Sequence, residues 1–393
     1  MKTFTRITIA AIAVLFAITL SLAMDEGERS KSFTVSKGGT LEISTGIGDI
    51  RISPWEKNEV YVNVEGIDEE DIGQVKMSQN GNVVRVSYRT RWSDGSGHVR
   101  FNVNVPSQFN LDLNTSGGDL EVKGGLTGKI GGSTSGGDIK LGNVYAGPVD
   151  VSTSGGDITT GKLEGEGHLK TAGGDIHVGS VNGSLYVNTS GGSIKVETVS
   201  KTLEAKTAGG DISIGDVGGE ARVSTSGGDV NVGKVSGKAT LSTAGGDIEL
   251  RGASGKVSAR TSGGDVKLQN ITGSIDAKTA GGEVEAELIP SGKGGSRLAS
   301  SGGDVRLYID ENSKATIEAT IRLDGWGWKK SRYVVKSEFP KESYETDEDG
   351  GEIRAVYKLN GGGEVVELST SNSNIEIHKL RPLIVLGNLF LKQ

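Results

Sequence analysis

The chain has 393 residues, 63 glycines, no cysteine, 34% hydrophobic and 5% aromatic residues, and a formal net charge of −7. The missing cysteine excludes disulfides, thiolate zinc sites and cysteine lipidation, and the acidic balance argues against nucleic acid as a partner. Disordered glycine-rich chains are usually rich in proline as well, but this chain has only 6 prolines, so its glycines are expected in turns.

Residues 1–23 have the features of a secretory signal peptide. Lys2 and Arg6 give a positive start, residues 7–22 are almost all apolar or small, and Ser21-Leu22-Ala23 precedes a plausible cleavage site. An uncleaved anchor is the alternative, although the apolar run is slightly short for a membrane span. In both cases we expect an exported protein, periplasmic or at the cell surface, with membrane contact only through this segment.

Residues 24–113 are predicted to form an N-terminal β cap. Short runs in which apolar and polar residues alternate indicate strands, and residues 67–72 are the one candidate for a helical turn. Gly46 to Ile50 looks like a first, worn copy of the repeat that follows. The predicted strands are 33–35, 41–43, 50–52, 60–64, 83–88 and 99–105.

Residues 114–305 repeat one short word, Thr-(Ser or Ala)-Gly-Gly-Asp followed by an aliphatic residue. From Asp157 to Glu283 the step is 18 residues, after two steps of 19 and before a last step of 21. A fixed short period is typical of a repeat architecture. The aspartates of the word are Asp119, Asp138, Asp157, Asp175, Asp211, Asp229, Asp247, Asp265 and Asp304, and Ser193 and Glu283 occupy the same column.

Each repeat predicts two short strands. In one copy Ile212 and Ile214 alternate with polar residues, Val217 is a lone inward residue, and Ala221 and Val223 lead to the next threonine. Stacking such coils at ~4.8 Å buries the apolar face and pairs the backbone edges. We therefore predict an all-β fold, a parallel β-solenoid of 18-residue coils, right-handed by the usual rule for parallel crossovers, with irregular β caps. About eleven coils would form a rod on the order of 50 Å long.

Residues 306–393 leave the period and predict a C-terminal β cap with an apolar tail. Strands are expected at 307–309 and 315–321, polar loops with aromatic residues at 326–330 and 344–351, and a last worn coil at 370–377. Residues 353–357 and 365–368, joined by Asn360-Gly361-Gly362-Gly363, predict a hairpin. The tail, residues 380–391, is too short and too broken to span a bilayer, and a buried cap strand is favoured over a docking peptide.

The segments Val103-Asn104-Val105-Pro106, residues 109–113 and Thr115-Ser116-Gly117-Gly118-Asp119-Leu120 together resemble a bacterial family that goes by the name "putative adhesin". The resemblance extends over most of residues 32–379 and implies an exported β-strand-repeat protein with Ser-Gly-Asp turns and a β-solenoid fold. This chain departs from the family in its longer, more regular array. No binding residue can be carried over from the resemblance.

The repeated aspartate is the sharpest candidate site. A column of like charges one coil apart favours bound cations, and calcium prefers carboxylate oxygens. The structural alternative, which we favour, is that glycine supplies backbone freedom at each corner and the aspartate caps turn amides. The occurrence of Ser193 in this column supports that alternative, because serine caps but barely coordinates. The threonine column is expected to face inward, which leaves no flat ice-binding array.

Catalytic signals are weak. The four histidines show no metal spacing, and no nucleophile stands beside Asp175 and His177. Glu164 and Glu166 are paired on a turn but are better explained as solvated surface. Exposed tryptophans can stack on sugars, although packing inside the caps is the favoured role here. The candidates for a ligand contact of this kind are Trp92, Trp326 and Trp328.

Three functions are consistent with the sequence. The first is a non-enzymatic adhesin or cell-envelope scaffold that needs no metal or other cofactor and makes multivalent contacts with an envelope or surface ligand, a glycan or a protein. The second is a carbohydrate-active β-helix enzyme working at the caps. The third is an accessory protein linked to envelope stress, with the tail as its docking element. The sequence does not name the ligand.

Overall fold

The computed structural model describes residues 28–89, 99–292, 294–323, 333–347 and 351–380. Within these ranges the chain forms two long β-sheets, a two-stranded pairing and a single 3₁₀ helix, Glu69–Gln74, close to the predicted helical turn. The predicted signal segment, the tail beyond Leu380, and Trp92, Trp326 and Trp328 lie outside the described residues.

The N-terminal region consists of short strands that mostly alternate buried and accessible residues, as the sequence predicts. These strands are β1 (Ser30–Thr34), β2 (Thr40–Thr45), β3 (Asp49–Trp55), β4 (Glu59–Glu65), β5 (Val75–Asn80), β6 (Val83–Tyr88), β7 (Arg100–Pro106), β8 (Asn110–Asn114) and β9 (Leu120–Val122).

The array supplies the next group of strands, two to a regular coil. They are β10 (Leu126–Thr127), β11 (Ile130–Ser133), β12 (Ile139–Leu141), β13 (Val144–Tyr145), β14 (Val149–Ser152), β15 (Ile158–Thr160), β16 (Gly167–Lys170), β17 (Ile176–Val181), β18 (Leu185–Asn188), β19 (Ile194–Val199), β20 (Leu203–Lys206), β21 (Ile212–Val217), β22 (Ala221–Ser224), β23 (Val230–Val235), β24 (Ala239–Ser242), β25 (Ile248–Ala253), β26 (Val257–Arg260), β27 (Val266–Ile271), β28 (Ile275–Thr279), β29 (Val284–Leu288), β30 (Ser296–Ser300) and β31 (Val305–Ile309).

The C-terminal region adds a final set of strands, several of them longer than those of the array. They are β32 (Ala315–Arg322), β33 (Val335–Ser337), β34 (Ser343–Asp347), β35 (Glu352–Leu359), β36 (Glu364–Ser371) and β37 (Ile375–Lys379). Strand β34 falls where the sequence predicts a polar loop, because its backbone pairs antiparallel with β35.

The two sheets alternate along the chain, which confirms the parallel β-solenoid. The first strand of each coil joins one sheet, called sheet A here, and the second strand joins the other, sheet B. Pairing is parallel and in register: Ile212 lies opposite Val230 in sheet A, and Ala221 lies opposite Ala239 in sheet B. Each coil therefore presents the same columns to its neighbours, as a stack of identical repeats requires.

The order of coils in the stack departs from the order in sequence at both ends. The worn first coil, β2 and β3, lies between the β6–β7 coil and the β8–β9 coil. The worn last coil, β36 and β37, likewise lies between β30–β31 and the outer strands β32 and β33. Antiparallel strands then finish the sheets, β4 followed by β1 in sheet A and β5 in sheet B at one end, and β35 followed by β34 at the other. These strands blunt open edges that would otherwise template further pairing.

The predicted hairpin of β35 and β36 is wrong. Strand β32 lies between them, antiparallel to β35 and parallel to β36. The glycine-rich link turns the chain back, but β32 lies between the two strands, and all eight of its residues pair with each of them. A central strand with two full ladders satisfies more backbone groups than a hairpin alone.

The interior is narrow and aliphatic in the array and aromatic in the caps. In one coil Ile212, Val217, Ala221 and Val223 are all at most 2% exposed. The largest fully buried side chains, Tyr88, Phe101, Phe109 and Tyr357, lie near the two ends. Small buried alanines recur on the second strands of the array, as at Ala221, Ala239 and Ala259, whereas the bulky aromatic rings lie in the caps.

Candidate functional site

Each aspartate of the repeat binds the next coil rather than its own turn. The backbone N–H of Asp229 donates to Oδ1 of Asp211 at 2.9 Å, and that of Asp247 donates to Oδ1 of Asp229 at 2.8 Å. Ser193 serves in the same way through its hydroxyl oxygen, which accepts from the N–H of Asp211 at 3.3 Å. The same bond recurs at Asp49, Asp119, Asp138, Asp157, Asp175, Asp247, Asp265 and Asp304.

This bond affects the acidity of the carboxylate. At Asp138 the N–H of Asp157 holds the pKa below its usual value, with a smaller contribution from Lys140 and against the opposing effect of burial. A donated N–H stabilises the charged form of a carboxylate. The aspartate column is thus a ladder of charge-assisted hydrogen bonds along one edge of the rod.

The threonine column forms a second ladder just inside the first. The hydroxyl of Thr225 donates to the carbonyl of Gly210 in the preceding coil at 2.9 Å and accepts from the N–H of Gly228 in its own coil at 3.4 Å. Thr225 is only 7% exposed. The inward position expected from the sequence is confirmed, and the threonines offer no exposed array.

The corner glycines are explained by close approach between coils, which corrects the expectation of backbone freedom. In the array the glycines of the Gly-Gly-Asp words do not adopt positive φ, whereas Gly48 of the worn first coil does. A Cβ on Gly228 would lie 2.3 Å from the carbonyl oxygen of Gly210, while one on Gly227 would lie 3.1 Å from that of Gly209. The second glycine is therefore needed because neighbouring corners touch backbone to backbone.

The corner edge has little geometry for a metal. One carboxylate oxygen of each aspartate is engaged by an N–H, and in the described parts of the chain no group of three or more histidine, aspartate or glutamate side chains is placed to hold a metal ion. Calcium needs six or more oxygen ligands. A structural role for the column is the interpretation that this geometry supports.

The outer face of sheet B carries a depression near the N-terminal cap. It has a volume of about 580 Å³, and Gly131 forms its floor between Asp112 and Asp150, one strand to either side. The amide of Asn114 donates to Oδ1 of Asp112 at 2.8 Å, and Glu42 lies one strand further on. Two strand spacings separate Asp112 and Asp150, so their backbones are ~9.6 Å apart.

The outer face of sheet A carries a shallow groove in mid-array, with a volume of about 450 Å³. Gly215 and Gly233 form its floor, and Lys195, Lys234 and Arg251 stand around it. Acidic residues balance these cations: Glu249 pairs with Arg251 at 3.6 Å, and Glu197 and Asp216 line the same groove. This face is mixed in charge.

Over the same coils the outer face of sheet B carries a line of basic residues, which we call the basic row. Between Thr202 and Ala299 the outward positions of sheet B carry seven basic residues but only three acidic ones, Glu204, Glu220 and Asp276. Asp276 already pairs with Arg260 and Lys278, and Glu204 with Lys206. The row consists of Lys206, Arg222, Lys238, Lys256, Arg260, Lys278 and Arg297.

The structure brings together none of the histidines as a catalytic group within the described residues. His168 lies edge-on to Tyr186 on sheet B, with 5.9 Å between ring centroids. His378 stacks on Tyr308 at 5.2 Å on sheet A and faces Glu338 and Glu376 at 3.3 and 3.4 Å. Sequence reasoning missed the Gly131 depression and the basic row. Aligning the outward columns coil by coil would have revealed the row.

Residues 39–215 and 179–324 match the model of the family described as Toastrack DUF4097. The chain belongs to this family. The two Toastrack matches overlap and together extend from the worn first coil through the whole array to the end of β32. The fold is thus the Toastrack β-solenoid. No curated protein matches the chain.

Several solved structures are similar to this Toastrack chain. A "putative adhesin" from Bacteroides fragilis is 15% identical with a TM-score of 0.30, over 63% of this chain and 94% of that one. A "putative adhesin" from Parabacteroides merdae is 18% identical with a TM-score of 0.30, over 65% and 95%. A "putative lipid binding protein" from Parabacteroides distasonis is 12% identical with a TM-score of 0.22, over 88% and 95%. These names describe those proteins alone.

None of the described segments of the Toastrack chain forms a helix of the length and hydrophobicity that a membrane span requires.

Proposed function

We propose that this protein is an exported, non-enzymatic β-solenoid that acts as an adhesin or envelope scaffold through many weak contacts with one surface ligand. The observation that carries the proposal is the in-register stack, which repeats each outward column coil after coil in both sheets. A ligand that repeats along its own length can then bind several coils at once. Linked weak contacts raise the overall affinity far above that of one contact.

Rigidity supports this role. The aspartate and threonine ladders join every corner of the regular array to the coil before it, for example through Asp229 and Thr225. Surfaces held in place before binding lose less conformational entropy on association. A rod with fixed column spacing thus presents its contacts already aligned, and the export signal predicted in residues 1–23 would place it at the envelope.

Whole-coil deletion tests the proposal. Removing residues 212–247 joins Asp211 to Ile248 and takes out two coils of 18 residues in register. Each coil contacts only its neighbours, so the shortened protein should fold, which circular dichroism can verify. We expect binding of the full-length protein to isolated cell envelopes to be saturable, and the shortened protein to bind several-fold more weakly. Equal binding by both proteins would refute a multivalent mode.

A second function is favoured by the Gly131 depression. Asp112 and Asp150 flank it at a backbone separation of ~9.6 Å. Carboxyl groups that lean over the glycine floor from these two positions would stand within the separation of about 6.5–9.5 Å found in inverting glycosidases. The candidate is a carbohydrate-active enzyme whose general acid and base are these two residues. Release of reducing sugar from envelope glycans, lost in both Asp112→Asn and Asp150→Asn, would support it. Activity that persists in both variants, or its absence in the native protein, would exclude this site.

A further inference from the structure

We infer that the basic row on sheet B binds a linear polyanionic glycan, one built of uronic acids, laid along the axis of the rod. The inference rests on the proposed function and names the ligand class. The row is anomalous because the chain as a whole is acidic, with a formal net charge of −7, yet its seven cations face only four carboxylates on this surface, the three between Thr202 and Ala299 and Glu367 beside Arg297. Charge complementarity therefore points to an anion.

The centre of the row consists of three cations on successive coils. Arg222, Lys238 and Lys256 belong to the coils of β22, β24 and β26, and all three are exposed. Lys238 lies one coil beyond Glu220 and one before Lys256, since Ala221 pairs with Ala239 and Ala239 with Val257. Among the ion pairs within the described residues, none involves these three cations, which distinguishes them from Lys206, Arg260, Lys278 and Arg297.

The cations repel one another in the free protein. The pKa of Lys206 is raised, chiefly by its hydrogen bond to Glu204, but the charge of Arg222 acts in the opposite direction. Arg222 and Lys238 also line one small cleft with Glu204 and Glu220, and the hydroxyls of Thr202 and Thr240 lie in the same cleft. An anionic ligand would relieve this repulsion, and the cleft hydroxyls of Thr202 and Thr240 would hydrogen-bond to sugar hydroxyls.

The spacing selects a linear glycan. Adjacent strands bring a new cation every ~4.8 Å along the rod. A uronic-acid polymer carries one carboxylate per sugar ring, and one ring in an extended chain advances by a comparable distance. Successive carboxylates can then face successive coils, with the long side chain of Arg222 reaching across the two-residue offset between its column and that of Lys238 and Lys256. Exposed charge pairs are individually weak, so useful affinity arises only from their repetition.

Sheet A provides a matched control, with two cations on the coils of Lys238 and Lys256 and one on the coil before that of Arg222. Lys195, Lys234 and Arg251 are the same residue types as the central cations of the row, two lysines and one arginine. They stand among Glu197, Asp216 and Glu249. Replacing either trio by glutamine changes the net charge of the protein equally. The two triple variants thus differ in which face loses its cations.

The test measures binding of the purified full-length protein to polygalacturonate and to its fully methyl-esterified form, which keeps the sugar backbone but lacks charge. We expect binding only to the charged polymer, weakening as salt screens the contacts. Arg222→Gln/Lys238→Gln/Lys256→Gln should reduce affinity about tenfold or more, whereas Lys195→Gln/Lys234→Gln/Arg251→Gln should change it less than about twofold.

Three results would overturn the inference. The first is no binding to polygalacturonate, and the second is an equal loss of affinity in the two triple variants. The third is equally tight binding of single-stranded DNA of the same charge, which would mean that the row binds polyanions in general. The proposed function is tested separately. The deletion of residues 212–247 removes two whole coils, whereas the sheet B triple variant removes only three cations. Envelope binding that falls on deletion but not in the sheet B variant would uphold the function and reject this ligand.

Discussion

The adjacent corner glycines Gly136 and Gly137 should respond in opposite ways to the same substitution. A Cβ on Gly136 would meet nothing within 4 Å, whereas a Cβ on Gly137 would lie 2.1 Å from the carbonyl oxygen of Gly118. Ordinary van der Waals contact begins at 3.4 Å. Neither glycine adopts positive φ, so alanine is strained at neither position by its backbone conformation. Steric contact with the preceding coil alone separates the two variants.

The expected loss in Gly137→Ala follows from what must move. The contacted atom is backbone, and the corners would have to separate by more than an ångström. The oxygen of Gly118 also accepts the hydroxyl of Thr134 at 2.8 Å, and the N–H of Asp138 donates to Asp119 at 2.8 Å. Weakening one neutral and one charge-assisted bond, together with overpacking, should cost about 2–4 kcal/mol. Gly136→Ala should be neutral or stabilising by about 0.4–1 kcal/mol.

Urea unfolding measures this difference in stability between the two variants. Circular dichroism at about 218 nm, where β-sheet gives its signal, monitors the unfolding. Amide exchange at residues 115–140 would show whether the loss is local, as expected for a repeat array in which stability is carried by neighbouring coils. Equal midpoints for Gly136→Ala and Gly137→Ala would refute the close-approach explanation of the second glycine.

The remaining predictions concern the two ladders. Thr225→Val should destabilise the protein by about 1–3 kcal/mol, because the carbonyl of Gly210 and the N–H of Gly228 lose their partner; Thr225→Ser should recover most of this in thermal melts, and no recovery would contradict the hydroxyl ladder. The pKa of Asp138 is lowered by the N–H of Asp157, so its contribution is present above the unfolded pKa of ~3.9 and lost as pH falls through the folded value. Urea midpoints of native protein should thus fall more steeply below about pH 4 than those of Asp138→Asn, and parallel profiles would oppose this account. Melting midpoints should be the same in calcium and in chelator, because one oxygen of each corner aspartate already accepts a backbone N–H. A clear rise of the midpoint with calcium would support a calcium site in the aspartate column.

The array could be predicted from the sequence because its physics is local and periodic. The columns of Ile212, Val217, Ala221 and Thr225 recur at a fixed step, and stacking is the arrangement that buries them all. The ends could not be predicted in the same way. Strand β2 pairs with β6 and β8, and β32 separates β35 from β36. These pairings join segments that are remote in sequence, and the repeat period does not predict them.

The sequence places the corner glycines correctly at turns, but the physical reason that it suggests for them is wrong. Glycine at a turn usually signals positive φ, yet Gly228 is required by the backbone of the coil beneath it. The sequence contains a hint. Both glycines are present in every word of the array, although a turn alone would not require glycine at both positions. Distinguishing them requires the distance between coils, which only the stacked structure provides.

The candidate surfaces were partly accessible from sequence. Outward positions follow from strand alternation, so the cations Arg222, Lys238 and Lys256 could have been assigned to one face once the coils were aligned. The Gly131 depression was harder to find because the steps there are 19 residues, which blurs the columns. Its carboxylates become neighbours only through the pairings of β8, β11 and β14.

Dissociation of the full-length protein from sensors coated with envelope polymers fractionated by chain length tests the claim of multivalent binding most directly. The account predicts slow release from chains that extend along the rod, which is on the order of 50 Å long, and progressively faster release from shorter chains. A dissociation rate that is the same at every chain length would mean that one site does the binding, and would contradict the account.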